Sequence, residues 1–333
     1  MTLNILPKHA VVGWVEKLLQ TYTVIAPISH GLDAKFDAIQ DAQEIHWSYK
    51  TTILPPKKSL LPQPEPLIHY ERKTLENAWK AEALDTSNPT VLLGVHSCDL
   101  HAIDLLDAVF LHDDPDQHYL HRRQATTIVS LECLEPCSEH AFCKSMGTLS
   151  LPESFDVHLT DIGAAYVVEI GSEAGEAILH DLDALGTGSA EDQQTYAHMI
   201  SNKWQRFPYP LDVELAELPD LLNLAYESPL WQELGEQCLS CGSCNIVCPT
   251  CFCYDVQDEM DFPLLNGTRS RSWDSCQLRT FATVAGGHNF RKTPAERLRH
   301  RFLHKGKYLT EIHGLVGCVG CGRCAQNCLA EIS

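Results

Sequence analysis

Fifteen cysteines in a chain of 333 residues carry most of this protein's capacity for chemistry, and they are clustered rather than evenly spread. Residues 238–253 read CLSCGSCNIVCPTCFC and hold six of them. Within this stretch, residues 238–249 have the spacing C-x2-C-x2-C-x3-C-P, and residues 318–328 repeat it with Leu329 in place of the proline. This spacing is typical of bacterial two-cluster ferredoxins. The two copies therefore predict two 4Fe–4S clusters.

The spacing also predicts which cysteines share a cluster. Two-residue gaps curl the backbone so that three thiolates reach one cluster, whereas the fourth cysteine begins a helix that points away and ligates the other cluster. The first predicted ligand set is Cys238, Cys241, Cys244 and Cys328. The second is Cys318, Cys321, Cys324 and Cys248. Small residues between the ligands would let backbone N–H groups approach the sulfides: Gly242, Ser243, Gly320 and Gly322.

Zinc is the alternative for these motifs, because two distant C-x2-C pairs are typical of a zinc ribbon. A zinc ribbon would leave four cysteines of the two motifs without a role: Cys244, Cys248, Cys324 and Cys328. Two complete four-cysteine motifs therefore favour iron–sulfur clusters over zinc.

Four further cysteines follow two predicted strands. Residues 90–97 predict a buried strand that leads into a helix over 99–111, and residues 125–133 predict a second strand. Adjacent ends of parallel strands share one edge of a sheet, where ligands collect. A third 4Fe–4S cluster is therefore predicted on Cys98, Cys133, Cys137 and Cys143. Buried free thiols are the alternative, and His96 or His140 could replace one of the ligands.

Cys251, Cys253 and Cys276 remain without an assignment. The first two follow Pro249, on the wrong side for either ferredoxin loop, and three thiolates do not complete a cubane cluster. We expect these cysteines to pack beneath the segment between the motifs or to form hydrogen bonds near a cluster. A further metal or redox site is the alternative.

The apolar patterns predict an α+β protein. Helices are predicted over 1–20, 173–185 and 189–205, and strands over 22–28 and 45–54, with two more in 155–171. An irregular connection is predicted over 55–67, which holds five prolines. We predict an N-terminal α/β domain over 1–228. A mostly helical dicluster ferredoxin-like domain follows over 229–333, with a long insert over 254–317 between the cluster motifs.

The charge is divided unevenly between these two parts. Residues 1–228 have a net charge of −20, and residues 229–333 have a net charge of +1. An acidic N-terminal part argues against nucleic acid and anionic membranes as partners. Residues 285–308 hold seven Lys or Arg and one acidic residue, so they could neutralise cluster charge or dock an acidic partner. A solvated helix face is the alternative.

The chain has no run of about 18–20 apolar residues and no charged-then-apolar leader, which predicts a cytoplasmic protein without a membrane span. In a reducing cytosol, dense cysteines indicate metal or redox chemistry rather than disulfides. The chain also lacks the Gly-rich dinucleotide and phosphate motifs and a haem attachment motif. No catalytic residue is assigned.

Several segments together resemble one family. They are CPTCFC at 248–253, RSWDSC at 271–276, AGGHNFR at 285–291, CVGCGRC at 318–324, GVHSCDLHAIDLLDAVFL at 94–111 and ILPPKK at 53–58. These segments resemble the iron–sulfur beta subunit of cytosolic sulfhydrogenases, which are NAD(P)-linked nickel–iron hydrogenases. The A subunit of anaerobic sulfite reductase is the sister family. The second motif departs from the usual pattern by ending in CLAEIS rather than Cys-Pro.

The resemblance implies a non-catalytic electron-transfer subunit. It would relay electrons between a flavoprotein subunit that binds NAD(P) and the small and large subunits of a nickel–iron hydrogenase. One alternative is an electron-transfer subunit of an anaerobic sulfite reductase or of a heterodisulfide-reductase-type complex. An alternative of another class is an iron–sulfur redox sensor or a structural metalloprotein.

Overall fold

Residues 3–84, 87–180 and 182–332 are described by a computed structural model of the chain. Their strands are β1 (Asn4–Pro7), β2 (Thr23–His30), β3 (Asp33–Ala38), β4 (Glu65–Glu71), β5 (Lys80–Ala83), β6 (Thr90–Val95), β7 (Thr126–Leu131), β8 (Val157–Asp161), β9 (Ala165–Ile170), β10 (Gly186–Thr187), β11 (Tyr254–Met260) and β12 (Asn266–Trp273). Their helices are α1 (Lys8–Leu19), α2 (Ser97–Phe110), α3 (Gln117–Gln124), α4 (Glu173–Leu179), α5 (Ala190–Arg206), α6 (Leu218–Leu224), α7 (Leu230–Gln237), α8 (Ser243–Ile246), α9 (Pro294–Leu303), α10 (Leu309–His313) and α11 (Arg323–Gln326). Short 3₁₀ turns occupy Ala42–Glu44, Pro56–Ser59, Leu215–Glu217 and Thr280–Ala282, and a π-helical turn over His304–Tyr308 joins α9 to α10.

The larger sheet has eight strands in the order β10-β1-β9-β8-β7-β6-β2-β3. Its central strands β2, β6, β7 and β8 run parallel. The strands β1, β3, β9 and β10 join the sheet antiparallel. β6 has the sequence TVLLGV and is buried from its second residue onward, as expected for a central parallel strand covered on both faces.

Helix α2 follows β6 almost directly and carries the first of the N-terminal cysteines. Leu100, Ile103 and Leu106 are at most 1% exposed and form part of its apolar face against the core. Because α2 begins at Ser97, Cys98 lies in its first turn, next to the end of β6. The packing of α2 therefore fixes Cys98 at the carboxyl edge of the parallel strands.

The smaller sheet combines strands from both parts of the sequence. Its order is β11-β12-β4-β5, and neighbouring strands are antiparallel. The hairpin β11–β12 comes from the segment between the two cysteine motifs, whereas β4 and β5 precede the large sheet's β6. The division at residue 228 and the insert over 254–317 stay predictions, and this sheet joins segments from both sides of that division.

A buried ionic cluster also holds the hairpin β11–β12 in place. Glu65 is fully buried, and its carboxylate pairs with the guanidinium groups of both Arg122 and Arg271. Arg271, which lies on β12, also pairs with Asp116 at the start of α3. Because a buried carboxylate requires such partners, these ion pairs fix the position of β12 against the N-terminal part.

The strand predicted over 45–54 is wrong. After the turn Ala42–Glu44, the chain forms a loop over 45–54 that makes single bridges, from Ile28 to Ile45 and from Ala34 to Thr52. Tyr49 in this loop stacks on His96 with 4.3 Å between ring centroids. Its hydroxyl donates to the Gly94 carbonyl at 2.6 Å. Side-chain contacts of this kind, rather than a strand ladder, hold the segment against the sheet.

The other predicted elements are found close to their predicted positions. The mixed helix-and-strand class is confirmed, as are the strands predicted over 22–28, 90–97 and 125–133 and the pair in 155–171. The helix predicted over 1–20 begins at Lys8, because Asn4–Pro7 pairs with β9 and β10. The helix predicted over 173–185 ends at Leu179, and residue 181 of that prediction lies outside the described residues.

The connection predicted over 55–67 contains the turn Pro56–Ser59, and β4 begins within it at Glu65. Across the described ranges, none of the helices is long and apolar enough to cross a lipid bilayer.

Candidate iron–sulfur sites

The eight cysteines of the two repeated motifs line one cavity of about 300 Å³. They are Cys238, Cys241, Cys244, Cys248, Cys318, Cys321, Cys324 and Cys328. Thiolates that surround a volume of this kind fit clusters of several atoms, because each ligand then reaches a different iron. Among the described residues, no three His, Cys, Asp or Glu side chains converge so closely that they could hold a single metal ion.

The two motifs share their backbone conformation as well as their spacing. The residue before the second cysteine has a positive φ in both copies, 52° at Ser240 and 65° at Gly320. The residue after that cysteine again has a positive φ, 80° at Gly242 and 75° at Gly322. A positive φ at Ser240 is uncommon for a residue with a side chain. Each loop then enters a four-residue helix, α8 or α11, so the sequence repeat is also a structural repeat.

Cys248 belongs to the first motif in sequence but lies next to the second motif. Burial raises the pKa of Cys318 and Cys321, and the negative charge of a Cys248 thiolate adds to the rise for both. The charges of Cys324 and Cys248 both add to the rise in the pKa of Cys244 in the first motif. The two motifs therefore lie close together, and the crossed ligand sets stay a prediction.

Two cations of the basic segment 285–308 face the cysteine cavity, the half-buried Arg301 and the buried Lys305. Arg301 and Lys305 both line it. They are four residues apart, across α9 and the π-helical turn, so they lie on the same helical face. These two side chains therefore do not lie on a solvated helix face. Their positive charges can offset the negative charges of the thiolates.

Hydrogen bonds fix both cations. Lys305 donates from Nζ to the Thr250 hydroxyl at 2.7 Å and to the Gly317 carbonyl at 2.8 Å. Burial by itself would lower the pKa of Lys305, but neighbouring cysteine thiolates raise the pKa above its usual value. Arg301 donates from Nε to Asn245 Oδ1 at 2.9 Å. Both groups therefore stay charged beside the cavity.

The four N-terminal cysteines also line one cavity, together with Cys321 and Arg323 of the second motif. They are Cys98, Cys133, Cys137 and Cys143. Cys98 follows β6, and Cys133 follows the neighbouring parallel strand β7, so both lie at the same edge of the sheet. The donor set fits a 4Fe–4S cluster in number and kind. The cavity between the four thiols has a volume of about 10 Å³, which is smaller than that of the C-terminal cavity. The four side chains would therefore have to rotate away from one another to surround a cluster.

The two histidines considered as substitute ligands lie in different surroundings. His96 is buried, lines the N-terminal cavity and stacks on Tyr49. Burial lowers the pKa of His96 to about 4, so its ring is neutral near pH 7. His140 contacts the second motif through its backbone, because a Cβ on Gly322 would come within 2.6 Å of the His140 carbonyl carbon. His96 is thus the histidine whose side chain is placed at the cavity.

The second motif packs directly against the segment that carries Cys143. The Phe142 N–H donates to the Gly320 carbonyl at 2.7 Å, and the Thr148 hydroxyl donates to the Val319 carbonyl at 2.6 Å. A Cβ on Gly320 would lie 2.7 Å from the Cys143 nitrogen. The glycine at this position therefore allows a close approach between the two groups of cysteines.

An internal ion pair joins the same two groups. Arg323, inside the second motif, donates from Nη1 and Nη2 to the Asp99 carboxylate at 2.6 and 2.7 Å. Its Nε donates to the Thr52 carbonyl at 2.9 Å. Asp99 directly follows Cys98 in the first turn of α2. Sequence reasoning missed this pair, because the two residues lie 224 positions apart and spacing along the chain does not show which distant side chains meet.

The three unassigned cysteines lie in two thiol pairs. Cys251 shares a hydrogen bond with Cys248, and Cys253 shares one with Cys276. Lys57 is buried and donates from Nζ to the carbonyls of Cys248 and Cys251 at 2.7 and 2.6 Å. The expected hydrogen bond near a predicted cluster ligand is therefore present at Cys251. Lys57 lies in the ILPPKK segment of the proline-rich connection, but no role was predicted for it.

Residues 237–332 match the family model described as a 4Fe-4S dicluster domain. The chain is also 35% identical over 317 residues to Sulfhydrogenase 2 subunit beta of Pyrococcus furiosus, which covers 95% of the chain and 91% of that relative. The chain belongs to the sulfhydrogenase beta-subunit family. The resemblance noted in the sequence is thereby confirmed, and family and domain together show an iron–sulfur electron-transfer role with 4Fe–4S clusters. No solved structure gave a significant match.

Proposed function

We propose that this chain relays electrons through 4Fe–4S clusters between an NAD(P)-linked flavoprotein subunit and a nickel–iron hydrogenase module. The observation that carries the proposal is the position of Cys321, which lines both the C-terminal cavity and the N-terminal cavity. One thiol thus stands between two groups of cysteines. The sulfhydrogenase relative supports the hydrogenase module, and the NAD(P)-linked flavoprotein is what the family resemblance implies.

We assign the cysteines to clusters in the crossed arrangement. The first cluster would bind Cys238, Cys241, Cys244 and Cys328, and the second would bind Cys318, Cys321, Cys324 and Cys248. The third would bind Cys98, Cys133, Cys137 and Cys143. The shared cavity and the charge contacts of Cys248 support the first two sets, and the parallel edge of β6 and β7 supports the third.

A 4Fe–4S cluster supplies a centre that takes up and releases one electron at a time. The protein's own part is to stabilise the added negative charge. Arg301 and Lys305 do this with fixed positive charges at the cavity wall. In a low-dielectric interior such charges favour the reduced state and raise the reduction potential.

The positions of the thiols suggest the order of the relay. Cys241 of the first motif is exposed, which gives the first ligand set access to a partner. The second motif is packed against the N-terminal cysteines through the Gly320 and Val319 carbonyls. Electrons would therefore pass from the Cys241 side, through the second set, to the N-terminal set, or in the reverse direction.

The test of the partners is an anoxic native purification through a tag on this chain, with mass spectrometry of the proteins that accompany it. Recovery of a nickel–iron large subunit and a flavoprotein is expected, together with hydrogen-dependent NAD(P) reduction by the complex. Recovery of a sirohaem subunit instead would overturn the hydrogenase assignment in favour of sulfite reduction. Recovery of the chain alone with tightly bound iron would overturn the relay and favour a sensor.

The third ligand set is tested by Cys137→Ala. Loss of one ligand should remove that cluster, so the iron content should fall by about four atoms per chain relative to the parent. Cys253→Ser is the matched control, because it removes a thiol outside all three sets whose hydrogen bond is to Cys276 rather than to a proposed ligand. Equal iron content in Cys137→Ala and the parent would reject the third cluster while leaving the other two sets untouched.

A further inference from the structure

Cys253 and Cys276 are a thiol pair outside all three ligand sets. Tyr254 of β11 pairs with Trp273 of β12, at the end of the hairpin where both strands meet the cysteine region. One step further, the Asp274 N–H donates to the Cys253 carbonyl at 2.9 Å. The two backbones are therefore held side by side, and a hydrogen bond joins the thiols of Cys253 and Cys276.

Two amide groups are directed at the sulfur of Cys276. Asn245 Nδ2 lies 2.9 Å from Sγ, and Gln277 Nε2 lies 3.8 Å from it. The Asn245 side chain is buried, and its Oδ1 accepts from Arg301, so the amide presents its N–H group to the sulfur. Donors of this kind favour a thiolate, which is the form that attacks and forms disulfides.

The accessibilities of the two thiols differ in a way that suits a two-step reaction. Cys276 is 6% exposed, whereas Cys253 is partly exposed. The hydrogen bond from Cys253, reinforced by the amides, lowers the pKa of Cys276 to about 6. Cys253 is thus the more accessible residue of the pair, and Cys276 is the internal nucleophile beside it.

We propose that Cys253 and Cys276 form a redox-active dithiol–disulfide couple that exchanges two electrons with small disulfides. Cys253 passes its proton to the Cys276 thiolate across their hydrogen bond and attacks one sulfur of R–S–S–R. A mixed disulfide forms, and the released R–S⁻ takes the proton from Cys276. The Cys276 thiolate then attacks the Cys253 sulfur and releases the second R–S⁻. One proton comes from the Cys253 thiol and the second from solvent, so R–S–S–R becomes two R–SH while the thiol–thiolate pair of the protein becomes a disulfide.

The couple is connected to the cysteine cavity through Asn245 and Arg301. Oxidation would remove the thiolate that Asn245 Nδ2 contacts, while Asn245 Oδ1 remains bonded to the cation that lines the cavity. Any effect of this oxidation on a cluster rests on the proposed function. The couple itself does not, because it needs neither a particular number of clusters nor a particular partner.

The experiment is a redox titration of the anoxically purified, iron-loaded protein in mixtures of reduced and oxidised dithiothreitol. Each sample is quenched in acid, alkylated and analysed by peptide mass spectrometry, with iron measured in parallel. A reversible Cys253–Cys276 cross-link is expected, with two-electron behaviour and constant iron. Cys253→Ser and Cys276→Ser should abolish the cross-link, whereas the control Cys251→Ser should retain it.

Three results would overturn the couple: separate alkylation of both thiols throughout the titration, a cross-link that joins Cys253 to Cys251 instead, or a cross-link that forms only as iron is lost. None of these results bears on the proposed relay, which is tested by copurification. Conversely, a failed copurification leaves the thiol titration informative, because the readout is the cross-link rather than electron transfer.

The role of Asn245 as a positioning residue has its own test. Asn245→Asp replaces the donor to Cys276 with an acceptor, so the reduced thiolate form should be less stable. The dithiol–disulfide equilibrium should shift towards the disulfide by about tenfold, which corresponds to ~30 mV for a two-electron couple. Asn327→Asp is the matched control, because Asn327 lies in the second motif and donates to the Arg323 carbonyl. An equal shift in both variants would contradict the role of Asn245.

Discussion

Arg323 and Asp99 form a buried bidentate ion pair that bridges the second cysteine motif and the N-terminal cysteine site. Their side chains are 2% and 0% exposed. The two hydrogen bonds measure 2.6 and 2.7 Å. Arg323 lies next to Cys324, and Asp99 lies next to Cys98. A fork of two parallel bonds restricts orientation as well as distance. The pair therefore fixes how the two groups of cysteines face each other.

Arg323→Met should strongly destabilise the protein, because it leaves the Asp99 carboxylate buried without its partner. The expected loss is about 3–5 kcal/mol of unfolding free energy. The measurement is the guanidinium unfolding midpoint of samples with equal iron content. The double variant Asp99→Leu with Arg323→Met should recover part of the loss, because no unpaired charge then remains.

The matched control for the buried pair is Arg269→Met. Arg269 pairs with Asp258 at 2.7 Å, but both side chains are exposed, 42% and 45%. Water screens such a pair, so its loss should change the midpoint little. A similar loss in both single variants would show that burial does not give the Arg323–Asp99 pair its importance.

Cys241→Ser should remove one cluster and leave the N-terminal part folded. Cys241 is an exposed member of the first proposed ligand set, so its replacement removes a ligand without opening a buried cavity. The iron content should fall by about four atoms per chain, and the circular dichroism of the folded chain should persist. Undiminished iron with full electron transfer would show that Cys241 is not a ligand.

Lys305→Met should lower the reduction potential of a cluster in the C-terminal cavity. The variant removes a positive charge from the cavity wall, and the reduced cluster carries one more negative charge. At an effective dielectric constant of about 20 and a separation of about 8 Å, the interaction is about 2 kcal/mol, or ~90 mV for one electron. Potentiometric titration followed by electron paramagnetic resonance measures the shift.

Lys307→Met is the control for Lys305. Lys307 lies two residues away and donates to Asn223 Oδ1 on the exterior, so its loss removes the same formal charge at a solvent-screened position. Its effect on the potential should be much smaller. A shift of equal size in both variants, or an upward shift in Lys305→Met, would contradict stabilisation of the reduced state by the buried ammonium.

His96 should make the protein less stable as the pH falls. Burial lowers its folded-state pKa to about 4, whereas an unfolded histidine titrates near pH 6.5. Between these values the unfolded state binds more protons, so stability is complete above about pH 6.5 and declines towards pH 4. The loss approaches about 3 kcal/mol at the acid end. His96→Gln should flatten this part of the profile.

The measurement for His96 is the difference in unfolding midpoint between variant and parent from pH 7 to pH 4. His30→Gln is the control, because His30 is exposed at the end of β2. Taking the difference between variant and parent removes the pH dependence of the ionisable groups that both proteins share. A constant difference across the range would show that His96 does not contribute to the acid sensitivity.

The local features of the fold could be predicted from the sequence because they depend on neighbouring residues. The run TVLLGV predicts a buried strand, and the repeated cysteine spacing predicts two loops that curl in the same way. Both features are present, in β6 and in the matching positive φ angles at Gly242 and Gly322. The strand predicted over 45–54 was wrong because the apolar and aromatic residues of this segment form side-chain contacts rather than a strand ladder.

The sequence by itself determined the chemistry of this protein: the number of thiols, their cluster spacing, the acidic N-terminal part and the family. The tertiary structure decided which distant groups meet. It brought Arg323 to Asp99, Lys57 to Cys251 and Cys276 to Cys253. Spacing along the chain fixes only short-range geometry, whereas these contacts depend on how separate elements pack, and packing is settled by the burial of the whole core.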